Sequence, residues 1–285
     1  MSGRLRPEDF SGSLKTRMGA AFPGSRAVFR GHDLHAELKD MGWLELYVFG
    51  ITGRRHTPAQ ARLLQAIWTY TSYPDARLWN NRVAALAGSA RSTPALGLSA
   101  ALAVSEAVIY GGQAGLRAFD FLLRAKQSVD RGQSLPATVE AERRTRRIYG
   151  YGRPIDSTDE RNAWMLALAE ELALDKGPHL ALAFEVEAVL LAGGRPLRMN
   201  YAALAAALLA DLGFSQTEFQ LFWAPVFLAG MPPCYLEAAE RPEGLTFPLA
   251  CVTIHYEGLP SRRWLDAPAL GGQARTPPPS NGDTI

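Results

Sequence analysis

The chain has 285 residues, of which 47 % are hydrophobic and 20 % charged, and its formal net charge is +2. That length supports one large domain, or one large and one small, and the composition is that of a globular chain rather than a disordered one. The near balance of charge argues against a nucleic-acid partner, and the two cysteines, Cys234 and Cys251, make neither a disulfide framework nor a zinc-ligand spacing.

Met1–Gly24 is polar, punctuated by Gly and Pro, and lacks the apolar centre of a signal peptide. The longest apolar runs, Leu180–Gly193 and Tyr201–Leu212, are too short to span a bilayer and carry Glu185, Glu187 and Asp211. The expectation is a cytoplasmic protein with no membrane partner, no nucleic-acid partner and no metal site. Strand patterns are scarce, apart from Ala250–Tyr256, so the predicted class is all-α.

Thr57-Pro58 opens a helix over Pro58–Tyr70, with Ala61, Leu64, Ile67 and Trp68 on one face. Ser92-Thr93-Pro94 opens a second helix running to about Tyr110 and stopped by Gly111-Gly112. Its many small residues, among them Ala95, Gly97, Ser99, Ala100 and Ala103, suit a helix buried between other helices. Further helices are predicted at Ala114–Arg124, Thr138–Arg147, Glu160–Leu174 (capped by Thr158 or Asp159), Ala181–Leu191, Tyr201–Leu212 and Gln216–Gly230. Gln127–Ala137 reads as a polar linker and Ile148–Asp156 as a Gly/Pro loop. Pro232-Pro233 is expected to kink or end the last helix, and residues 267–285 to form a disordered tail. No internal repeat supports a solenoid.

From Arg30 to Trp264 the order of these segments resembles the citrate synthase family, including its citryl-CoA-lyase-like members. Phe29–Asp33 is similar to the family's Y-R-G-Y-D-L turn and Glu45–Pro58 to its E-x-x-Y-L-L-L-T-G-x-L-P-T segment. Arg82–Gly112 resembles the helix that ends in G-P-x-H-G-G, and Tyr149–Arg161 resembles P-G-F-G-H … D-P-R. Leu197–Phe214, Phe222–Glu237 and Leu245–Gly258 resemble the N-V-D … L-G, F-A-I-G-R-V-A-G … H-W-L-E and L-I-R-P … Y-x-G stretches. The resemblance implies a dimer built on a large domain (residues 1–111 and 223–266) with a small domain (112–222) closing on the substrates. It also places the Ser92–Tyr110 helix at the dimer interface.

The chemistry implied is deprotonation of an acyl-CoA methyl group and addition of the carbanion to a keto acid, or the reverse cleavage. That requires a carboxylate base, two histidines that stabilise oxyanions, and arginines that clamp carboxylates in bidentate fashion. This chain departs at nearly every such position. Tyr110, Arg153 and Ser72 stand at the family's histidines, Ala202 at the aspartate base, and Phe227 and Phe247 at two arginines. Only Arg161 matches a carboxylate clamp, and that match needs a one-residue deletion in the preceding loop. The frames around the departures are intact. Gly111-Gly112 follow Tyr110, Gly150 and Gly152 precede Arg153, Ala229-Gly230 follow Phe227, and Pro248 follows Phe247. Two guanidinium positions turned to phenyl rings make an apolar pocket that a citrate or oxaloacetate anion enters only at a large desolvation cost.

Each substituted residue carries two readings. Tyr110 either donates a hydrogen bond to a thioester oxygen or fills the old site as a buried aromatic. Arg153 either grips an anion or pairs with Asp156 or Asp159. Gly150 and Gly152 present backbone to a CoA adenine or merely shape a loop. The basic run Arg143–Arg147 meets a CoA phosphate or is a solvated helix face. Asp156 and Asp159 are the nearest acids for a replacement base, and Cys234 and the five histidines read as structural. The resulting expectation is a citrate synthase-like protein with a degenerate site. It would lack citrate synthase activity and act as a homodimer, or as a heterodimeric partner or regulatory subunit of an active paralogue. The alternative is an acyl-CoA-dependent condensing enzyme or lyase for a less charged, more apolar substrate. CoA or acyl-CoA enters as substrate, and no covalently bound cofactor is implied.

Overall fold

A computed structural model of the chain describes residues 15–153, 158–245, 252 and 255–259. It opens with a three-stranded antiparallel meander, β1 (Gly19–Phe22), β2 (Arg26–Phe29) and β3 (His32–Asp33). The Phe29–Asp33 turn is the β2–β3 connection, with Phe29 paired to His32 and positive φ at both Arg30 (49°) and Gly31 (86°). Positive φ at both central residues matches the right-handed strand twist. These strands are too short to show an alternation, which is why the sequence did not mark them. The Arg30 guanidinium donates to Gly50 O at 2.7 and 2.8 Å and to Ile51 O at 3.0 Å. It thereby satisfies carbonyls left open at the end of the next helix.

Eleven α-helices follow among the described residues: α1 (Trp43–Thr52), α2 (Pro58–Thr71), α3 (Trp79–Ser89), α4 (Pro94–Val104), α5 (Gly112–Asp130), α6 (Leu135–Thr145), α7 (Glu160–Glu171), α8 (Pro178–Ala192), α9 (Tyr201–Asp211), α10 (Gln216–Trp223) and α11 (Met231–Glu240). α2 begins with a full capping box, Thr57 accepting from Gln60 N–H while the Gln60 side chain accepts from Thr57 N–H. α9 is apolar all round and buried along nearly its whole length, packed by α5, α8 and α7. A helix with no polar face belongs in the centre, and the main core forms around it, with Phe119, Phe219 and Trp223 stacked nearby. A second, smaller cluster joins α3, α4 and α11 around Ala84, Ala101 and Met231. Residues up to Phe247 form one compact unit and those from Pro248 a second.

Several expectations are corrected. The helix predicted over Ser92–Tyr110 ends at Val104. Gly112 N–H donates back to Ser105 O at 2.6 Å, and a Cβ on Gly111 would lie 2.3 Å from Ala107 O, so the chain doubles back in a turn that only glycine fits. Gly111-Gly112 therefore start α5 rather than merely stopping α4. Among the described residues, α4 packs on α3 and α11 by one face only. Only Gly97 and Ala101 on it are buried, and Leu96 is 67 % exposed. Pro232 and Pro233 occupy the first turn of α11, where a missing N–H costs nothing. The Gln127–Ala137 linker shrinks to 131–134 between α5 and α6. The predicted strand at Ala250–Tyr256 and the tail 267–285 lie outside the described residues.

Candidate functional site

The expected site residues fall on the starts of α5, α7 and α9 and the ends of α2 and α10. The loop Tyr149–Arg153 is pinned along the approach to α9. Gly152 N–H donates to Arg198 O at 2.6 Å, Asn200 N–H to Gly150 O at 2.9 Å, and Asn200 Nδ2 to Gly152 O at 2.8 Å. Tyr151 is buried beneath it, its hydroxyl donating to Ala183 O at 2.9 Å. Gly150 has φ 87°, and a Cβ there would lie 2.6 Å from the Ala203 methyl. The loop glycines are thus required by backbone conformation and by the close approach to α9. Ala202 sits one residue inside α9, its N–H accepted by the Asn200 side-chain oxygen at 3.0 Å.

Next to this loop lies a charged cluster. Asp159, 5 % exposed, caps α7. Its two oxygens accept from Arg161 Nε and Nη2, both at 2.8 Å, and from Tyr201 N–H at 3.0 Å. The Arg161 guanidinium lies over the rings of Tyr201 and Tyr73, at 4.5 and 5.3 Å from their centroids. Burial works to raise the Asp159 pKa, but the Arg161 hydrogen bonds and charge outweigh it and hold the carboxyl below the usual range. Burial likewise works against the Arg161 charge, and Asp159 overcomes it, so the guanidinium stays charged more firmly than an ordinary arginine.

Arg153 donates to Thr158 O at 2.9 Å and to Glu160 Oε2 at 2.8 Å, and the Tyr73 hydroxyl donates to Glu160 Oε1 at 3.1 Å. Among the described residues Glu160 is the carboxylate it bonds directly, while its charge also acts on Asp159. Asp156 lies outside the described residues. The backbone N–H of Glu160, then Arg153 and Tyr73, hold the Glu160 carboxyl low. Two ionised, paired carboxylates with lowered pKa values are poor proton acceptors near neutral pH.

The other candidates sit apart from this cluster or are absorbed into the packing. Ser72 caps the end of α2, its hydroxyl donating to Trp68 O at 2.8 Å. Phe227 packs edge-to-face on Trp223 and bridges the two apolar clusters. Tyr110 has φ 55° and is 52 % exposed, so it is not a buried filler. Phe247 lies outside the described residues. Tyr73, Glu160 and Tyr201 escaped the sequence reading. The available signal was position alone, since each directly follows a residue already singled out or a helix cap. Trp223 Nε1 and Asn162 Oδ1 are buried without a hydrogen-bond partner among the described residues.

This arrangement of helices is the fold shared by citryl-CoA lyase and citrate synthase. The chain superposes on the citryl-CoA lyase of Hydrogenobacter thermophilus with a TM-score of 0.76 and 20 % identity, over 88 % of this chain and 96 % of that one. An ATP citrate lyase of Methanosaeta concilii in complex with (3S)-citryl-CoA gives 0.69 and 18 %, over 87 % of this chain and 42 % of that one. The citrate synthase of Thermoplasma acidophilum, in ternary complex with carboxymethyl coenzyme A and oxaloacetate, gives 0.60 and 21 %, over 79 % and 59 %. No family model and no curated protein matches the sequence.

Proposed function

We propose that this chain is a divergent relative of citrate synthase and citryl-CoA lyase that lacks citrate synthase activity. It keeps the dimeric fold and serves as a partner or regulatory subunit. Residues 1–111 and 223–266 form the large domain of this reading and 112–222 the small one. The observation that carries the proposal is the Asp159–Arg161 pair. The one arginine matched to a carboxylate clamp directs both Nε and Nη2 to a buried carboxylate of its own chain. A substrate carboxylate must displace Asp159 and leave it buried and unpaired, which costs several kcal/mol. The apolar side of the argument is Phe227, a phenyl ring at the position that the resemblance matches to a family arginine. A homodimer has a ready surface, since α4 is apolar yet exposes most of its length, with Leu86 of α3 and Leu236 of α11 also exposed. In a mixed dimer, Phe247 would not supply the carboxylate contact that the resemblance assigns to the neighbouring site, so an active partner would bind its substrate less well.

A second reading has an observation of its own. Tyr110 holds a left-handed conformation that an L-residue adopts at a cost, and its side chain is half-exposed. Strain kept at a family catalytic position favours a residual enzyme that binds an acyl-CoA and acts on a less charged acceptor, with Tyr110, Arg153 and Arg161 at work. Calorimetry with CoA and acetyl-CoA, followed by thiol release with a panel of keto acids and aldehydes, separates the two. No binding at millimolar CoA eliminates the second reading. Turnover that disappears in Tyr110→Phe or Arg153→Ala eliminates the first.

A further inference from the structure

Between the start of α1 and the first turns of α2 lies a cleft of about 240 Å³, outside the site described above. Its volume falls below that of a drug-sized ligand site, so it suits a small metabolite. The buried side chains of Val48 and Leu64 supply apolar surface. Trp43 and Glu45 line it from α1, and Arg62 and Gln65 from α2. Trp43 stacks on Tyr47, with ring centroids 5.5 Å apart and planes 15° apart, yet stays 66 % exposed. One face of the indole is thus covered and the other is open, and an open indole face attracts a cation.

The two walls carry opposite charges. Glu45, only partly exposed, makes no hydrogen bond or ion pair among the described residues. Arg62 donates from Nη1 and Nη2 to Glu171 at 2.6 and 3.3 Å. Both side chains of that pair are more than half exposed, and such a pair holds weakly. The guanidinium also keeps Nε and one hydrogen on each Nη for a second carboxylate. His56 lines the cleft as well, but burial and the nearby Arg54 charge hold its pKa below the usual range, so it stays neutral near pH 7. A lone amine would pair with Glu45 and leave Arg62 facing its own sign. A lone carboxylate would do the reverse. A zwitterion satisfies both walls, and an apolar side chain on it covers Val48 and Leu64.

We infer that the cleft between α1 and α2 binds a small apolar α-amino acid. Its ammonium lies between Glu45 and the Trp43 ring, its carboxylate on Arg62, and its side chain on Val48 and Leu64. This rests on neither reading of the family catalytic positions. L-leucine titrated calorimetrically into the full chain at low ionic strength is the probe, since exposed charge is screened by salt. Two analogues dissect it on the unaltered protein. Isocaproate lacks the ammonium and isoamylamine the carboxylate, and each binds at least about tenfold more weakly than leucine. Glycine, which leaves the apolar surface uncovered, also binds more weakly. Glu45→Gln and Arg62→Gln each weaken leucine about tenfold. Glu45→Gln leaves isocaproate no weaker, and Arg62→Gln leaves isoamylamine no weaker. Glu171→Gln releases Arg62 from its ion pair and tightens leucine binding, which a merely structural role for Arg62 would not do. Arg55→Gln, on a neighbouring exposed arginine that does not line the cleft, changes nothing. Circular dichroism confirms that each variant is folded, and the analogue series needs no variant at all. Any of three results overturns the inference: no leucine binding at millimolar concentration, isoamylamine or isocaproate binding as tightly as leucine, or equal losses in Arg55→Gln and Arg62→Gln.

Discussion

Replacing Asp159 by alanine is expected to be among the most damaging single changes outside the apolar core. The carboxylate is buried, it caps α7, it receives two 2.8 Å bonds from Arg161, and it accepts the Tyr201 N–H that opens α9. Removing one member of a buried pair leaves the other charged and uncompensated, which costs about 3–5 kcal/mol. Loss of a cap by itself costs about 1 kcal/mol. Both losses arise from one carboxylate, so they overlap, and the expected total is about 4 kcal/mol. Guanidinium-induced unfolding followed by circular dichroism measures it. Arg161→Leu alone strands the carboxylate and destabilises by a comparable amount. Asp159→Ala combined with Arg161→Leu costs clearly less than the sum, because neither charge is then left alone. The Asp159 pKa is held low in the fold, so the unfolded chain takes up the proton first as pH falls. The contribution is therefore full above the unfolded carboxylate pKa of about 3.9 and is lost as pH drops through the lower folded value. The stability gap between wild type and Asp159→Ala should narrow below about pH 4. A single variant costing under about 1 kcal/mol, strict additivity in the double variant, or a gap that widens in acid would refute the reasoning.

Gly115→Ala would ordinarily favour a helix by about 1 kcal/mol, but here the new Cβ falls 2.6 Å from the buried Trp223 indole. The overpacking should dominate, with a net loss of about 1–3 kcal/mol in chemical denaturation. Tyr110→Gly should stabilise the protein by about 0.5–1 kcal/mol by relieving the left-handed backbone, less the entropy of a freer unfolded chain. A loss of stability would mean that the half-exposed ring is held by contacts. Leu96→Asp places a charge on the exposed apolar face of α4, and by two-fold symmetry it does so twice. Sedimentation should show at least about tenfold weaker dimerisation, and an unchanged state would move the proposed interface elsewhere.

The sequence alone determined the helical class and the order of its segments. Cap residues such as Thr57 and Thr93, prolines at helix starts and runs of Ala and Leu act locally and carry their meaning wherever the chain goes. It also determined which chemistry-bearing side chains stand at Tyr110, Ser72, Arg153, Ala202 and Phe227. What it could not determine depends on how the chain turns and which groups the packing brings together. The early end of α4 rests on a glycine turn closing onto Ser105. The use of Pro232-Pro233 as a helix start, not a stop, depends on the 3-10 turn at Leu228–Gly230 that delivers the chain to them. Arg161 reads as a free clamp until α9 brings Tyr201 and Asp159 together beside it. Arg117 and Tyr149 lie 32 residues apart and look unrelated until α5 and α6 fold side by side. Local propensity is written in neighbours, whereas pairing, burial and charge balance are set by the packing that brings those remote residues within a few ångströms.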